Sequence, residues 1–250
     1  MKGAPDPAGA RSVEPLEHLD ILYRDAYLVA VYKPAGLLVH RTSLDSREVR
    51  FAVQLLRDQL GAEVFPCHRL DKPTSGILLF ALRKEILKAV NAAFAEGRVE
   101  KRYWALVRGW IQKEGRLDYP LRPLKEEGRR ASTTLQRAAV TDYAPLEHYE
   151  IPEPLGRYAS ARFSLVELAP LTGRTHQLRR HLAHLRHPII GDTRHGDGLQ
   201  NRYFRDRFQS RRLLLAAVSL ALTHPVSGRQ LRVEAKPDAS FQSVVEMLQV

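Results

Sequence analysis

Only one of the 250 residues is a cysteine, Cys67. No disulfide can close within the chain, and no Cys-based zinc site can form. A lone thiol fits a reducing, cytoplasmic setting. Long apolar runs are also missing. The longest uncharged stretch, Leu213 to Leu222, is about half of the roughly 20 residues that a membrane helix needs, and suits a buried strand. Met1 to Pro15 is rich in Pro, Gly and Ala and has no apolar centre, so no signal peptide is expected there. No repeat of fixed period is visible, and a composition of 44% hydrophobic and 27% charged residues excludes wholesale disorder, collagen and coiled coil.

Acidic residues are the other shortage. Asp plus Glu is 28 against 39 Lys plus Arg, a formal net charge of +11. A chain this basic is expected to meet a polyanion, and nucleic acid is the first candidate. Much of the excess is Arg, including Arg179, Arg180, Arg211 and Arg212. Guanidinium groups grip phosphate bidentately and stack on bases, which ammonium groups do not. Charge names a partner class but supplies no chemistry.

The apolar pattern divides the chain into a tail over residues 1–18 and one domain over 19–250. Strands are expected at Leu28–Lys33, Leu37–His40, Ile77–Leu82, Val99–Val107, Ala161–Leu168, Leu213–Leu222 and Leu231–Ala235. Helical spacing predicts Glu48–Leu60, ended by Gly61, and Arg83–Glu96, stopped by Gly97. Two further helices are expected at Thr175–Leu185 and Phe241–Leu248. Leu121 to Tyr158 has little period and reads as a loop or a hairpin reaching toward a ligand. Strands and helices mix without strict alternation, so the expected class is α+β around a mixed, mainly antiparallel sheet.

One loop carries candidate chemistry. In His68-Arg69-Leu70-Asp71-Lys72-Pro73-Thr74-Ser75-Gly76 an acid stands between two cations, Pro73 stiffens the turn and Gly76 allows a sharp entry into a strand. The pattern suggests a carboxylate kept ionised at the mouth of a sheet by Arg69 and Lys72. An Asp in a polar loop is most often a turn or cap residue, so spacing alone leaves Asp71 undecided.

HRLDKPTSG, residues 68–76, resembles the aspartate motif of the RluA-type pseudouridine synthase family. Four other segments resemble that family in order: VYKPAG at Val31–Gly36, KRYWA at Lys101–Ala105, GRTHQLRRH at Gly173–His181, and the closing strand at Leu213–Pro225. The likeness covers residues 19 to 235 and implies the pseudouridine synthase fold with an RNA-binding cleft. It implies an isomerase that turns uridine into pseudouridine without a cofactor, because no atom is added or lost. By resemblance Asp71 is the nucleophile, Arg174 the residue that pairs with it, and Tyr103 the aromatic that stacks on uracil. Leu215 is an apolar wall for the base, and Arg69 fills the space left when the uridine flips out. Arg179 and Arg180 are expected phosphate contacts. The chain departs from the family at Ala216, where His is common; that His is taken as supporting rather than chemical. Within the family the likeness is strongest to members acting on uridine 65 of tRNA, carried by Leu28–Thr42, Leu117–Leu121 and Thr175–Asp197. Action on ribosomal RNA, or RNA binding without catalysis, are the alternatives. No membrane association and no protein partner are implied, and a monomer is expected.

Two other chemistries are weighed against this. His176, His181, His184 and His187 crowd one stretch, but the surrounding Arg residues repel a cation and no HExxH spacing occurs, so no metal is expected. A metal-dependent nuclease needs clustered carboxylates, and none gather. Cys67 beside His68 reads as a packed thiol, since neighbours along an extended chain point apart.

Overall fold

Two strands buried on both faces set the architecture: β2 (Leu28–Lys33) and β4 (Ser75–Ala81). Their alternate residues feed two cores. Val29, Val31, Leu78 and Phe80 pack with Ala52 and Leu56 of helix α1 (Ala52–Leu60). Leu28, Ala30, Ile77 and Leu79 pack with Ile86 and Val90 of helix α2 (Lys84–Ala95). Period-two alternation with apolar residues on both faces requires cover on both sides, and the two helices provide it. This computed structural model describes residues 18–40, 50–124 and 135–249. The expected tail lies outside the described residues up to residue 17, as do the first two residues of the Glu48–Leu60 helix.

The remaining strands are β1 (Asp20–Arg24), β3 (Phe65–Pro66), β5 (Glu100–Arg108), β6 (Gly115–Asp118), β7 (Val140–Ile151), β8 (Ala161–Pro170), β9 (Leu215–Thr223) and β10 (Gln230–Glu234). They form one sheet in the order β1-β2-β4-β9-β5-β8-β7-β6, with β10 added to β9 and β3 to β4. Every pairing is antiparallel except β4 with β9. The expected mixed, mainly antiparallel α+β class is what the structure shows. Helices α3 (Gln177–His184), α4 (Gly198–Phe208) and α5 (Ala239–Met247) cover the C-terminal half. Leu178 and Leu182 of α3 pack on Ala105, Val107, Val166 and Leu168. Phe204, Phe208 and Phe241 pack on the opposite face against Leu106, Phe163 and Ala216.

The parallel seam is only two residues long, Ser75 opposite Ala216 and Gly76 opposite Ala217. Past it β9 turns to β10 and β4 to β3, so the sheet opens. Gly76 makes the seam possible. Its φ is +108°, and a Cβ there would stand 2.1 Å from the Ala217 carbonyl oxygen. No other residue combines that backbone angle with that approach.

Three expectations fail for physical reasons. Leu37–His40 is not a strand; it makes one bridge, Leu38 to Phe51, while Leu37 and Val39 pack beneath α1. In Leu121–Tyr158, expected as a loop or a hairpin, the loop reading fails: the stretch contains the 12-residue strand β7, antiparallel to β6 and β8 and disguised by Pro145 and by a register shift between Pro145 and Glu147. Residues 125–134 of that stretch lie outside the described residues. Helix α4 has no counterpart among the expected elements, because its low hydropathy hides a short stripe of Gln200, Phe204 and Phe208. No helix among the described residues is long and apolar enough to cross a membrane.

Candidate active site

The loop from Cys67 to Thr74 enters the opened sheet, held on both sides by backbone hydrogen bonds. Cys67 N–H donates to the Leu79 carbonyl at 2.9 Å, and Leu79 N–H donates to His68 Nε2 at 3.1 Å. Gly36 N–H donates to the Lys72 carbonyl at 2.8 Å. The fully buried Lys33 ammonium donates to the carbonyls of Lys72, Pro34 and Leu37 at 3.1, 2.9 and 2.8 Å. Burial pushes Lys33 down to about 7, against the pull of the nearby Asp71 charge. Three carbonyl acceptors match three ammonium donors, so the charged form is fully bonded. Thr74 N–H closes the turn on the Asp71 carbonyl at 3.0 Å. The Asp71 carboxylate is left facing a cleft of about 740 Å³ with its side chain 20% exposed.

The cation against it comes from α3. Arg179 Nη1 donates to Asp71 Oδ2 at 3.2 Å, while Nε and Nη2 of the same guanidinium donate to Asp192 at 2.7 and 2.8 Å. Asp192 is buried and also accepts the backbone N–H groups of Arg194 and His195 at 2.9 Å each. Burial pushes the Asp192 carboxyl up, but these hydrogen bonds outweigh it and hold the group below its ordinary value. Burial likewise opposes the Arg179 charge, and Asp192 and Asp71 together hold its pKa above the ordinary one. The result is a fixed guanidinium, aimed from behind by one acid at another. Gly191 makes the approach possible, since a Cβ there would stand 1.8 Å from the Arg212 carbonyl oxygen.

The sequence-based expectations are corrected at three points. The partner of Asp71 is Arg179 and not Arg174, whose Nε donates to the Ala138 carbonyl at 2.9 Å. Arg179 is 4% exposed and doubly paired, so it is no phosphate contact. Arg180, one step round the helix, remains partly exposed. Arg69 forms no ion pair with Asp71; it is exposed on the cleft wall without a hydrogen bond to any described residue. The cation expected at the carboxylate from Arg69 or Lys72 is supplied by Arg179 instead. Sequence reasoning assigned no role to Asp192, although a signal existed: no acidic residue lies between Glu167 and Asp192 in a strongly basic run.

Tyr103 and Leu215 do face the cleft, from β5 and from the first residue of β9. Burial, then the Asp71 charge, pushes the Tyr103 phenol well above its ordinary value, so it is neutral at physiological pH. Ala216 points the other way, into the core with Phe204 and Phe241. Strand alternation therefore keeps that position off the cleft wall.

The four clustered histidines diverge. His181 binds Thr141 Oγ1 and the Tyr119 carbonyl, His184 stacks on Tyr119, and His187 binds the Arg108 carbonyl. His176 alone reaches the site, 3.8 Å from Asp71 Oδ2 and 2.9 Å from His195. Burial pushes His176 down to about 4, with Asp71 opposing and Arg179 reinforcing the shift. No group of three metal-ligating side chains occurs among the described residues. Cys67 is buried, which pushes its thiol up to about 12 and leaves it unreactive.

A cleft holding an acid between a fixed guanidinium and a neutral phenol, at the seam of a mixed sheet, suits chemistry on a base removed from its stack. A model of the RNA pseudouridylate synthase family matches residues 27–184. The chain belongs to that family, a family of isomerases. Its relatives narrow the likeness further. It is 51% identical over 229 residues to tRNA pseudouridine synthase C of Vibrio parahaemolyticus, covering 90% of this chain and 93% of that one. To the protein of the same name from Vibrio cholerae it is 50% identical over 233 residues, covering 91% and 94%. Among solved structures it is similar to human RNA pseudouridylate synthase domain containing 1, with TM-score 0.69 and 29% identity over 94% of this chain and 96% of that one.

Proposed function

We propose that the protein converts uridine 65 of tRNA to pseudouridine in the cytoplasm, with Asp71 as the catalytic carboxylate. The observation that carries this reading is the Asp71–Arg179–Asp192 chain in the cleft. The names of the tRNA-modifying relatives support the substrate. The reaction breaks the N1–C1′ bond, turns the uracil and joins C5 to C1′; the C5 proton leaves and N1 takes one up. Composition is unchanged, so the isomerisation asks for no redox or group-carrying cofactor. A carboxylate attacking or stabilising such a centre must be ionised and held still. Arg179 faces the carboxylate at 3.2 Å, and Asp192 prevents the guanidinium from swinging toward a phosphate. Tyr103 offers a ring for the base and a hydroxyl for proton transfer, and Leu215 an apolar wall. Arg69, exposed on the cleft wall, is assigned to fill the stack that the uridine leaves.

Unmodified tRNA labelled with tritium at C5 of uracil tests the reading. The parent protein should release label and leave one pseudouridine, mapped chemically to position 65. Asp71→Asn should keep its melting temperature and tRNA affinity while label release drops below detection, because an amide keeps shape but loses the nucleophile. Turnover by the Asn variant at more than a few per cent of the parent rate would remove Asp71 from the reaction.

A further inference from the structure

At the far end of β5 and α3 from Asp71 lies a second pocket, of about 360 Å³, lined by Arg108, Tyr158, Arg162, Arg186, His187 and Gln200 among others. Arg186 follows the C-cap of α3 at φ +65°, a position that favours Gly. An arginine kept there bears a local backbone penalty that glycine would not. The surrounding charges show what it leaves free. Arg108 is paired with Asp197 at 2.7 Å and also donates to the Arg186 carbonyl; Arg162 is paired with Glu150 at 2.9 Å. The Arg186 guanidinium is exposed and has no hydrogen bond or ion pair to any described residue. Beside it Tyr158 is 58% exposed, with Arg157 over its ring at 5.1 Å. Gln200, at the same pocket, is 8% exposed, and its side-chain carbonyl oxygen has no hydrogen-bond partner among the described residues.

We propose that this pocket is a second RNA contact, in which Arg186 takes a backbone phosphate and Tyr158 stacks on the adjoining base. The inference rests on the RNA-modifying function proposed above. A spare guanidinium next to an exposed aromatic is the combination that holds a nucleotide without reading its sequence. Geometry allows both contacts on one molecule. From Tyr103 to Arg108 along β5 is roughly 16 Å at strand rise, a reach of a few nucleotides. On α3, burial pushes the Arg180 pKa down, Tyr119 opposes that, and the nearby Arg194 charge adds to it.

Arg186→Gly separates binding from structure, because it removes the cation and relieves the backbone at once. With the full chain and an unmodified tRNA transcript, the melting temperature should hold or rise. The dissociation constant should increase about 3- to 10-fold, and the log–log salt slope should fall by about one. Maximal turnover at saturating tRNA should be unchanged. Arg186→Lys should recover the slope, and Tyr158→Ala should weaken binding without altering it. If Arg186→Gly melts higher yet binds tRNA with the parent's affinity and slope, the second contact is wrong. A lower melting temperature with unchanged binding would make Arg186 structural and also overturn it. Should the Gly variant fail to fold, Arg186→Asn, tolerated at that backbone angle, gives the same readouts. Failure of the parent itself to bind tRNA would instead sink the RNA function.

Discussion

The two sides of the Asp71 cleft are held by different forces. On the N-terminal side the loop carrying Asp71 is fixed by hydrogen bonds to the main chain: Cys67 N–H to Leu79, the His68 ring to Leu79 N–H and Gly36 N–H to Lys72, with the Lys33 ammonium beneath. On the C-terminal side Arg179 is fixed by charge, through buried Asp192 and the two backbone N–H groups that Asp192 accepts. Backbone bonds set where a carboxylate sits but not which charge faces it. An ion pair sets aim, but only if its own far end is anchored. The cleft joins a placed acid to an aimed cation across a seam two residues wide.

That division also explains what could be read from the sequence. The placed side is contiguous. Nine residues from His68 to Gly76 contain the acid, the histidine that anchors it and the glycine of the seam, so a linear motif reveals them. The aimed side is assembled by folding. Arg179 and Asp192 are 13 residues apart and meet only because Gly191 lets the chain pass under Arg212. The motif holds both Arg174 and Arg179, and its order alone does not show which of them reaches Asp71. The face of α3 decides between them, since Gln177, Leu178, Arg179, His181 and Leu182 are its buried residues and Arg174 precedes the helix. Most elements are legible in the apolar period; β1, β3, β6, β7 and α4 escape it, β7 because Pro145 and a register shift break its alternation and α4 because polar and charged residues dilute its stripe.

Breaking the seam should have the largest effect, because both sides depend on it. Gly76→Ala places a methyl 2.1 Å from the Ala217 carbonyl oxygen at a φ of +108°. Neither backbone can retreat without parting β4 from β9. A destabilisation of about 3 kcal/mol or more is expected, with loss of soluble protein or of activity. Urea unfolding monitored by circular dichroism measures it. A variant as stable and active as the parent would mean that the two halves are not coupled through Gly76.

Removing the anchor on the charged side should come next. Asp192→Asn keeps the side chain's shape and part of its hydrogen bonding, but leaves Arg179 with Asp71 as its one remaining carboxylate. The guanidinium is then free to shift, and a displacement on the order of 1 Å at a reacting group lowers the rate by about 100-fold. Loss should fall on kcat rather than on KM, since Asp192 lies beneath the cleft and touches no exposed surface. Stability should drop by about 3 kcal/mol, as for a buried pair deprived of one member. Equal losses in kcat and in tRNA affinity would argue instead that Arg179 acts on the RNA.

The smallest expected change sharpens the placed side and is read through pH. His68 accepts the Leu79 N–H through Nε2, so it must be neutral. Burial first, and the Lys101 charge second, push its pKa down to about 3 from an ordinary 6.5. Between those values the unfolded chain binds a proton that the native one refuses, so native stability is lost as pH falls from 6.5 toward 3. His176, pushed down to about 4, adds to the same slope. His68→Gln retains an acceptor for Leu79 but cannot titrate. The variant should melt slightly below the parent at about pH 7.5, and the difference should shrink or reverse at about pH 4.5. Melting temperatures of both proteins at the two pH values decide it. A difference that stays constant would show that His68 takes up its proton alike in both states and that the loop does not depend on the neutral ring.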